Sequence, residues 1–412
     1  MRHKKKLLIT VGAGASVDFG LPCVKQVDAL LNACAARLYP LESNPASNLY
    51  AYCRDAIQTY YGETPKPALR KCANFEEVLY QLNLLVPYHS DPCYMHGSNA
   101  LIAPRPLPNI LEFGKTPGHV DGNVLGNLVS MLIDALVGHF IDACATAAVQ
   151  KSAQIAQLSR FLATLSEKFN IGIVTLNYDN IFTQARPDLY TGFAPATGVF
   201  EPLSVLRREE WGFIYHLHGS IHFAMTDTHQ DVHGITWAAT PTKGHAVRAF
   251  ERSTQHSMEG TAYPTSIIVA GYGKTQQILR QPFRTYFAQM NRLTHEADSL
   301  LFLGYGFSDL HLNAAFSEVR DRRRPVVVVD WANDSQDPLP FRHDTWTYQL
   351  FNTLPANAHE MSALGHSAPA SIADLKAAHE VEASNNTDYP LAVWYNGLLE
   401  ACQHSSKIMA HL

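Results

Sequence analysis

The side chains best suited to chemistry fall in five short stretches, each directly after an apolar run. Leu7–Val11 leads into Gly12-Ala13-Gly14-Ala15-Ser16, and Ile171–Leu176 ends in Thr175-Leu176-Asn177-Tyr178-Asp179. Phe213–Leu217 ends in His216-Leu217-His218-Gly219-Ser220. Ser299–Leu303 is followed by Gly304-Tyr305-Gly306-Phe307-Ser308-Asp309, and the run from Val326 closes with Asp330. Two glycines two apart after a strand allow a tight turn and bring peptide N–H groups close to a pyrophosphate. The usual dinucleotide fingerprint needs a third glycine, which would fall at Val17; the nearest is Gly20. A strand ending in a plain glycine turn is the competing explanation. Asn177 and Asp179 suit a helix cap as well as a polar site. A lone histidine such as His218 is more often structural than catalytic. His216, His218 and His222 have metal-like spacing without a carboxylate or cysteine near in sequence, and His229 and His233, at i and i+4 in a loop-like stretch, read as solvated.

The elements that must position these residues follow from periodicity. The apolar runs above, with Ser266–Ala270, read as short buried strands, and helices are expected at 22–38, 75–86, 126–149, 152–168, 179–186, 276–296 and 309–322. Asn74-Phe75-Glu76-Glu77 has the form of a capping box for the second of these. Continuous apolar strands alternating with helices predict an α/β fold with a Rossmann-like, doubly covered parallel sheet. In such a sheet ligands bind past the carboxyl ends of the strands, and four polar clusters and an acid at that edge are hard to explain by packing. The expected organisation is a nucleotide-binding domain over 1–335. It carries a large helical and loop insertion over about 31–168 and a smaller one over about 224–262, and a helical extension follows over 336–412, where Leu391, Trp394, Leu398 and Cys402 mark a last helix. Eleven of the forty residues 87–126 are Gly or Pro, which suits a lid, a subunit contact or a loose insertion.

Composition narrows the class. A hydrophobic fraction of 46% with 17% charged residues belongs to an ordinary globular chain, and a net charge of −5 gives no case for direct nucleic-acid binding. The basic run Arg2–Lys6 reads as a solvated end before a buried strand. Seven cysteines without a Cys-x-x-Cys pair fit free thiols in a reducing compartment, not a disulfide framework or a structural zinc site. The basic start meets only five apolar residues before the glycines, so no signal peptide is expected. The apolar tract Leu128–Val149 is broken by Asp134, Gly138, His139 and Asp142, so a buried helix is expected there and no membrane span. The expected location is cytoplasmic.

Gly-Ala-Gly-x-Ser, then Thr-x-Asn-x-Asp, then His-Gly, then Gly-x-x-x-Ser-Asp, in that order, resembles the sirtuin (silent information regulator-like) superfamily. Asn74–Leu79 and Gly304–Asp309 also resemble its bacterial anti-phage defence branch. The likeness covers about 7–22 and 170–330, with an outpost near 74. It implies that NAD is bound, with Gly12, Ala13, Gly14 and Ser16 seating the pyrophosphate and Thr175 beside them. It also implies that Asn177 orients water or ribose near the anomeric carbon, that Asp179 meets the carboxamide, and that His218 acts on the nicotinamide-side ribose. Gly304, Gly306, Ser308 and Asp309 would wrap ribose and phosphates, and Asp330 would accept the adenosine ribose hydroxyls. No metal is implied at these positions.

The departures from that family matter as much. There is no cysteine between 144 and 402, so the zinc module of the deacylases is missing, and Leu176 stands where the family has Gln. Leu21-Pro22-Cys23-Val24 replaces the family's Pro-x-Phe-Arg segment. These differences argue against an acyl-lysine substrate and for simple cleavage of the nicotinamide–ribose bond, with NAD as substrate and no zinc. The resemblance further implies a homo-oligomeric NAD hydrolase working beside a HerA-type ring ATPase. A non-catalytic NAD or ADP-ribose-binding scaffold and a zinc-free deacylase are the alternatives. An ordinary oxidoreductase would need a glycine at position 17 and a Tyr/Lys-like pair, neither of which is evident.

Overall fold

The computed structural model describes residues 4–63, 73–90, 100–225, 234–244, 246–248, 255–258, 261–271, 274–332, 350, 352–354, 371–384 and 386–412. Along the chain the elements begin with β1 (Lys5–Val11), α1 (Val24–Leu38), α2 (Leu49–Gly62) and α3 (Phe75–Leu85). A small hairpin follows, β2 (Ile110–Glu112) and β3 (Thr116–Gly118), then α4 (Gly122–Gln150), α5 (Ser152–Lys168), β4 (Phe169–Thr175), α6 (Ile181–Ala185), α7 (Pro202–Arg207) and β5 (Phe213–His216). Next come β6 (Phe223–Met225), β7 (Ile235–Trp237), β8 (Val247–Arg248), β9 (Gln255–Met258), β10 (Thr261–Ser266) and α8 (Lys274–Gln277). The chain closes with α9 (Phe283–Glu296), β11 (Ser299–Leu303), α10 (Leu310–Ser317), β12 (Val326–Val329), a helix at Ile372–Ala378, β13 (Glu382–Ala383), β14 (Leu391–Trp394) and helices at Leu398–Gln403 and Ser405–Met409.

These elements divide into two compact units. The first comprises Met1–Leu21, Ala143–Ser220 and Pro282–Leu412, and the second Pro22–Asp142 and Ile221–Gln281. The first unit is built on a seven-stranded sheet in the order β13-β14-β12-β11-β1-β4-β5. Every pairing is parallel except that of β13 with β14, so the α/β, Rossmann-like expectation holds. Its strands are apolar on both faces: Val326–Val329 and Ser299–Leu303 are buried throughout, as a sheet covered by helices on both sides requires. Each fully buried valine there is worth about 1.5–3 kcal/mol relative to exposure. Helix α9 turns Phe283, Tyr286, Met290 and Leu293 inward at helical spacing.

The second unit holds α1 to α3, most of α4 and three small antiparallel sheets. Asn74 caps α3, its Oδ1 accepting the Glu77 N–H at 3.0 Å, but the buried Glu77 carboxylate accepts from Gln81 (2.7 Å) instead of closing the box. Glu76 pairs with Lys274 at 3.1 Å. One helix among the described residues, Gly122–Gln150, is long and apolar enough to cross a membrane; 56% of its most apolar stretch is buried inside the protein. Residues 87–126 include the β2–β3 hairpin and the start of α4, residues 91–99 lying outside the described ones. His229, His233, Cys72, Cys93, Pro338, Pro340 and Pro355 also lie outside them.

Three expectations are corrected. Leu391–Trp394 is not the start of a last helix but strand β14, paired with β12 from Val326–Leu391 to Val329–Trp394. Its four consecutive residues are all buried, and only after Gly397, at φ 82°, does the helix from Leu398 begin. The C-terminal part is therefore no purely helical extension; it lends two strands to the sheet. Ser266–Ala270 is not a strand of the parallel sheet either. Only Ser266 is in a strand, the antiparallel β10, and the Gln277 amide meets the backbone of Ala270 with both its atoms, as donor at 2.8 Å and acceptor at 3.3 Å. The helix expected over 276–296 is two helices, α8 ending at Gln277 and α9 starting after Pro282, which has no N–H to give a preceding helical turn and serves as the α9 N-cap.

Gly172 on β4 lies directly against the Phe213 ring, where a Cβ would come within 2.3 Å of ring carbon. Gly172→Val should therefore destabilise the first unit by about 1–3 kcal/mol through overpacking, read as a lower urea midpoint without a changed slope.

Candidate functional site

Strand order decides where the site lies. From β1 the chain adds β4 and then β5 on one side, and later β11, β12 and β14 on the other. The order reverses between β1 and β11, and ligands of open α/β sheets bind outside the carboxyl ends of the strands at such a switch point. The register sets these ends level: Val11 pairs with both Leu303 and Thr175, and Thr175 with His216. All four polar clusters therefore leave the sheet at one edge, and Asp330 does so two strands from β1.

At the switch point the two glycine loops touch. The Gly12 N–H donates to Leu303 C=O at 3.0 Å and the Gly14 N–H to Gly304 C=O at 3.1 Å. A Cβ on Gly12 would lie 2.6 Å from the Gly304 oxygen. One on Gly304, which has φ 57°, would lie 2.0 Å from the Ala15 nitrogen. This contact changes the expected phosphate cradle, because the N–H groups of Gly12 and Gly14 are already bonded within the protein. Ala13 and Gly14 remain exposed, as do Gly306 and Ser308 across from them, while Gly304 and Asp330 are half-buried.

A buried polar cluster underlies the loops. Asn177 Nδ2 donates to Gly12 C=O and to Ser16 Oγ, both at 2.9 Å, while its N–H donates to Thr175 Oγ1 at 3.1 Å. Asp179 accepts the Ile181 N–H at 3.1 Å beside the start of α6, whose N-cap position is Asn180, while Asn177 bonds to Gly12 and Ser16 instead of to the helix. Burial raises the Asp179 carboxyl above its usual range, while hydrogen bonds from Ser16, Ile181 and Asn177 act in the opposite direction. Cys144 on α4 lies close enough to be affected: burial first and then the Asp179 charge push its thiol upward.

The third cluster joins two of the loops. Buried His218 places Nε2 3.3 Å from Asp309 Oδ2 and 3.3 Å from His311 Nε2, and His311 Nε2 lies 2.8 Å from Asp309 Oδ1. The Phe287 ring packs on His311 with centroids 5.1 Å apart. Asp309 precedes α10, and its loop is held by Tyr305, whose hydroxyl donates to Asn313 Oδ1 (2.6 Å), and by Asn313 Nδ2 donating to Phe307 C=O (2.7 Å). Phe307 sits at φ 51°, a left-handed conformation uncommon without glycine, and is fully buried. Asp330 has a different setting: its Oδ1 accepts the Trp331 N–H at 2.9 Å and its backbone pairs with Trp394 and Gly397.

Residues 172–349 match the family profile described as a SIR2-like domain. The match takes in Asn177, Asp179, His218, Gly304–Asp309 and Asp330 and begins inside β4, so it does not include Gly12–Ser16. No curated protein matches the chain. Among solved structures it is similar to a Sir2 homologue–NAD complex, at 12% identity and TM-score 0.34, over 86% of this chain and 90% of the other. It is also similar to a mutant Sir2 homologue bound to 2′-O-acetyl-ADP-ribose, at 13% identity and TM-score 0.33, over 88% and 95%. These likenesses are distant, and the fold assignment rests on the sheet order above.

His311, Cys144 and Asn313 were not singled out from sequence. His222 stacks on Trp237 with centroids 4.7 Å apart, its Nδ1 is 2.9 Å from Ala238 C=O, and burial lowers its basicity, as expected of a structural histidine.

Because folding raises the Asp179 carboxyl, its contribution to stability is full below the unfolded value and is lost as pH rises through the folded one. Asp179→Asn keeps the acceptor for Ile181 without the buried charge. Its melting temperature should therefore fall less than that of the parent as pH is raised above the unfolded carboxyl value of about 4, checked by thermal melts in a pH series.

Proposed function

We propose that the chain is an NAD+ hydrolase that cleaves the nicotinamide–ribose bond to give nicotinamide and ADP-ribose. The observation that carries this reading is the gathering of Gly12–Ser16, Asn177 with Asp179, His218 and Gly304–Asp309 at one sheet edge around the β1–β11 switch point. The SIR2-like match over 172–349 supports it.

Nicotinamide leaves as a neutral molecule from a cationic ring, so the bond needs little acid. The protein must hold the ribose, stabilise charge developing on it and place water at the anomeric carbon. In this reading Ala13, Gly14, Gly306 and Ser308 face the phosphates and ribose. Ser16, Thr175, Asn177 and Asp179 form the buried floor below the reacting carbon, and His218, held by Asp309, acts on the ribose hydroxyls. Asp330 takes the adenosine ribose. The water oxygen bonds to the anomeric carbon, the bond to nicotinamide breaks, and one water proton is released. NAD is thus substrate, and no zinc is required. Missing zinc-module cysteines and Leu176 weigh against acyl-lysine as acceptor.

The resemblance of Asn74–Leu79 and Gly304–Asp309 extends the proposal to a cytoplasmic anti-phage effector, homo-oligomeric, that depletes NAD with a HerA-type ring ATPase. A second reading, a non-catalytic NAD or ADP-ribose-binding scaffold, is favoured by one observation: the Asn177 amide is already bonded to Gly12 and Ser16.

Nicotinamide release by the purified protein, with and without the ATPase, separates the two readings. Asn177→Ala and His218→Ala should each lower the rate by about 100-fold or more while melting curves show a folded protein. Unchanged rates in both variants would overturn the site, and saturable NAD binding without turnover in every assembly state would establish the scaffold.

A further inference from the structure

His218, Asp309 and His311 bring two imidazole nitrogens and a carboxylate together across two loops, and we propose that they form a binding site for a divalent transition-metal ion of the Zn2+ class. Their ligand atoms all lie within 4.8 Å of one another. Bonds of about 2.0–2.1 Å around a tetrahedral ion set neighbouring ligand atoms about 3.3–3.4 Å apart. With Oδ2 as the Asp309 ligand atom, two separations, His218 Nε2 to Asp309 Oδ2 and to His311 Nε2, are 3.3 Å, the length of that tetrahedron's edges. His311 Nε2 lies 2.8 Å from the other oxygen, Oδ1, so the carboxylate stands against both imidazoles.

A cation held between the two Nε2 atoms would take a lone pair from each imidazole and the negative charge of the carboxylate at once. The ligands are also held in place: His218 and Asp309 have side chains only 4% and 5% exposed, and Phe287 packs against the 18%-exposed His311. Two histidines and one carboxylate leave a coordination position for water or a ligand atom. The second gathering of this type among the described residues, His379, Glu400 and His404, is about one-third or more exposed and wider, with 3.5 and 3.9 Å separations. It lacks the burial that would fix its ligands.

The site goes beyond the hydrolase proposal. On that reading the ion takes the His218 Nε2 and halts turnover until a chelator removes it; this consequence rests on the reading, whereas metal binding does not.

Tag-free, metal-stripped full-length protein titrated with Zn2+ in a calorimeter, without NAD, should show one tight site per chain. Co2+ should give the intense visible bands of a tetrahedral centre. His311→Gln and Asp309→Ala should each weaken Zn2+ binding by about tenfold or more, and His404→Gln should leave it unchanged. No tight Zn2+ site, a pale octahedral Co2+ spectrum in the parent protein, or loss of the tight site in His404→Gln instead of His311→Gln would each overturn the proposal. The Co2+ spectrum needs no variant, so a poorly folding substitution does not leave the question open.

Discussion

Gly304 approaches Ala15 and Gly14 so closely that no side chain fits on it, and this backbone contact ties the two halves of the sheet together at the site. Strands added to either side of β1 would ordinarily send their loops apart and leave an opening at the reversal. Here the loop after β1 and the loop after β11 are joined by the Gly14 N–H to Gly304 C=O bond. That fixes the Gly12 carbonyl, which receives the Asn177 amide from the loop after β4. Three successive strand ends are therefore held by glycine backbone, and the polar side chains gather beneath that junction, not on top of it.

Asp179 shows what the arrangement costs. A carboxylate that only caps a helix is best placed at the surface, where water solvates its charge. Asp179 accepts the first N–H of α6 while buried, and burial raises its carboxyl in spite of bonds from Ser16, Ile181 and Asn177. An asparagine would cap equally well without that penalty.

The parallel sheet and the common edge at which the polar clusters leave it were legible in the sequence because both rest on strong local signals. Val326–Val329 and Ser299–Leu303 are uninterrupted apolar runs that only a doubly covered strand needs, and the glycines at 12, 14 and 304 mark a close backbone approach. Leu391–Trp394 was misread since its spacing with Leu398 and Cys402 imitates a helix face. Period alone cannot separate a four-residue buried strand from helix when Gly397 stands between them. Ser266–Ala270 failed differently: the segment is buried, but Ser266 belongs to the antiparallel β10 and a side-chain amide, Gln277, takes the backbone bonds of Ala270. His311 could not be recovered from sequence, since its partner His218 comes from a loop 93 residues away.

Asp309 gains a larger role from the structure than its motif suggested. As part of a ribose-binding loop it would point at a ligand; instead its carboxylate lies against His218 and His311. Its position is set in turn by Tyr305 and Asn313, which brace the turn through the left-handed Phe307, and that turn starts at Gly304. The orientation of His218 is therefore coupled through Asp309 to the glycine contact at the switch point. His218 turns its Nε2 to both Asp309 and His311, so the two neighbours lie against that nitrogen. Since His311 is the more exposed of the two and is packed on one side by Phe287, it is the member of the cluster whose movement would control access to His218.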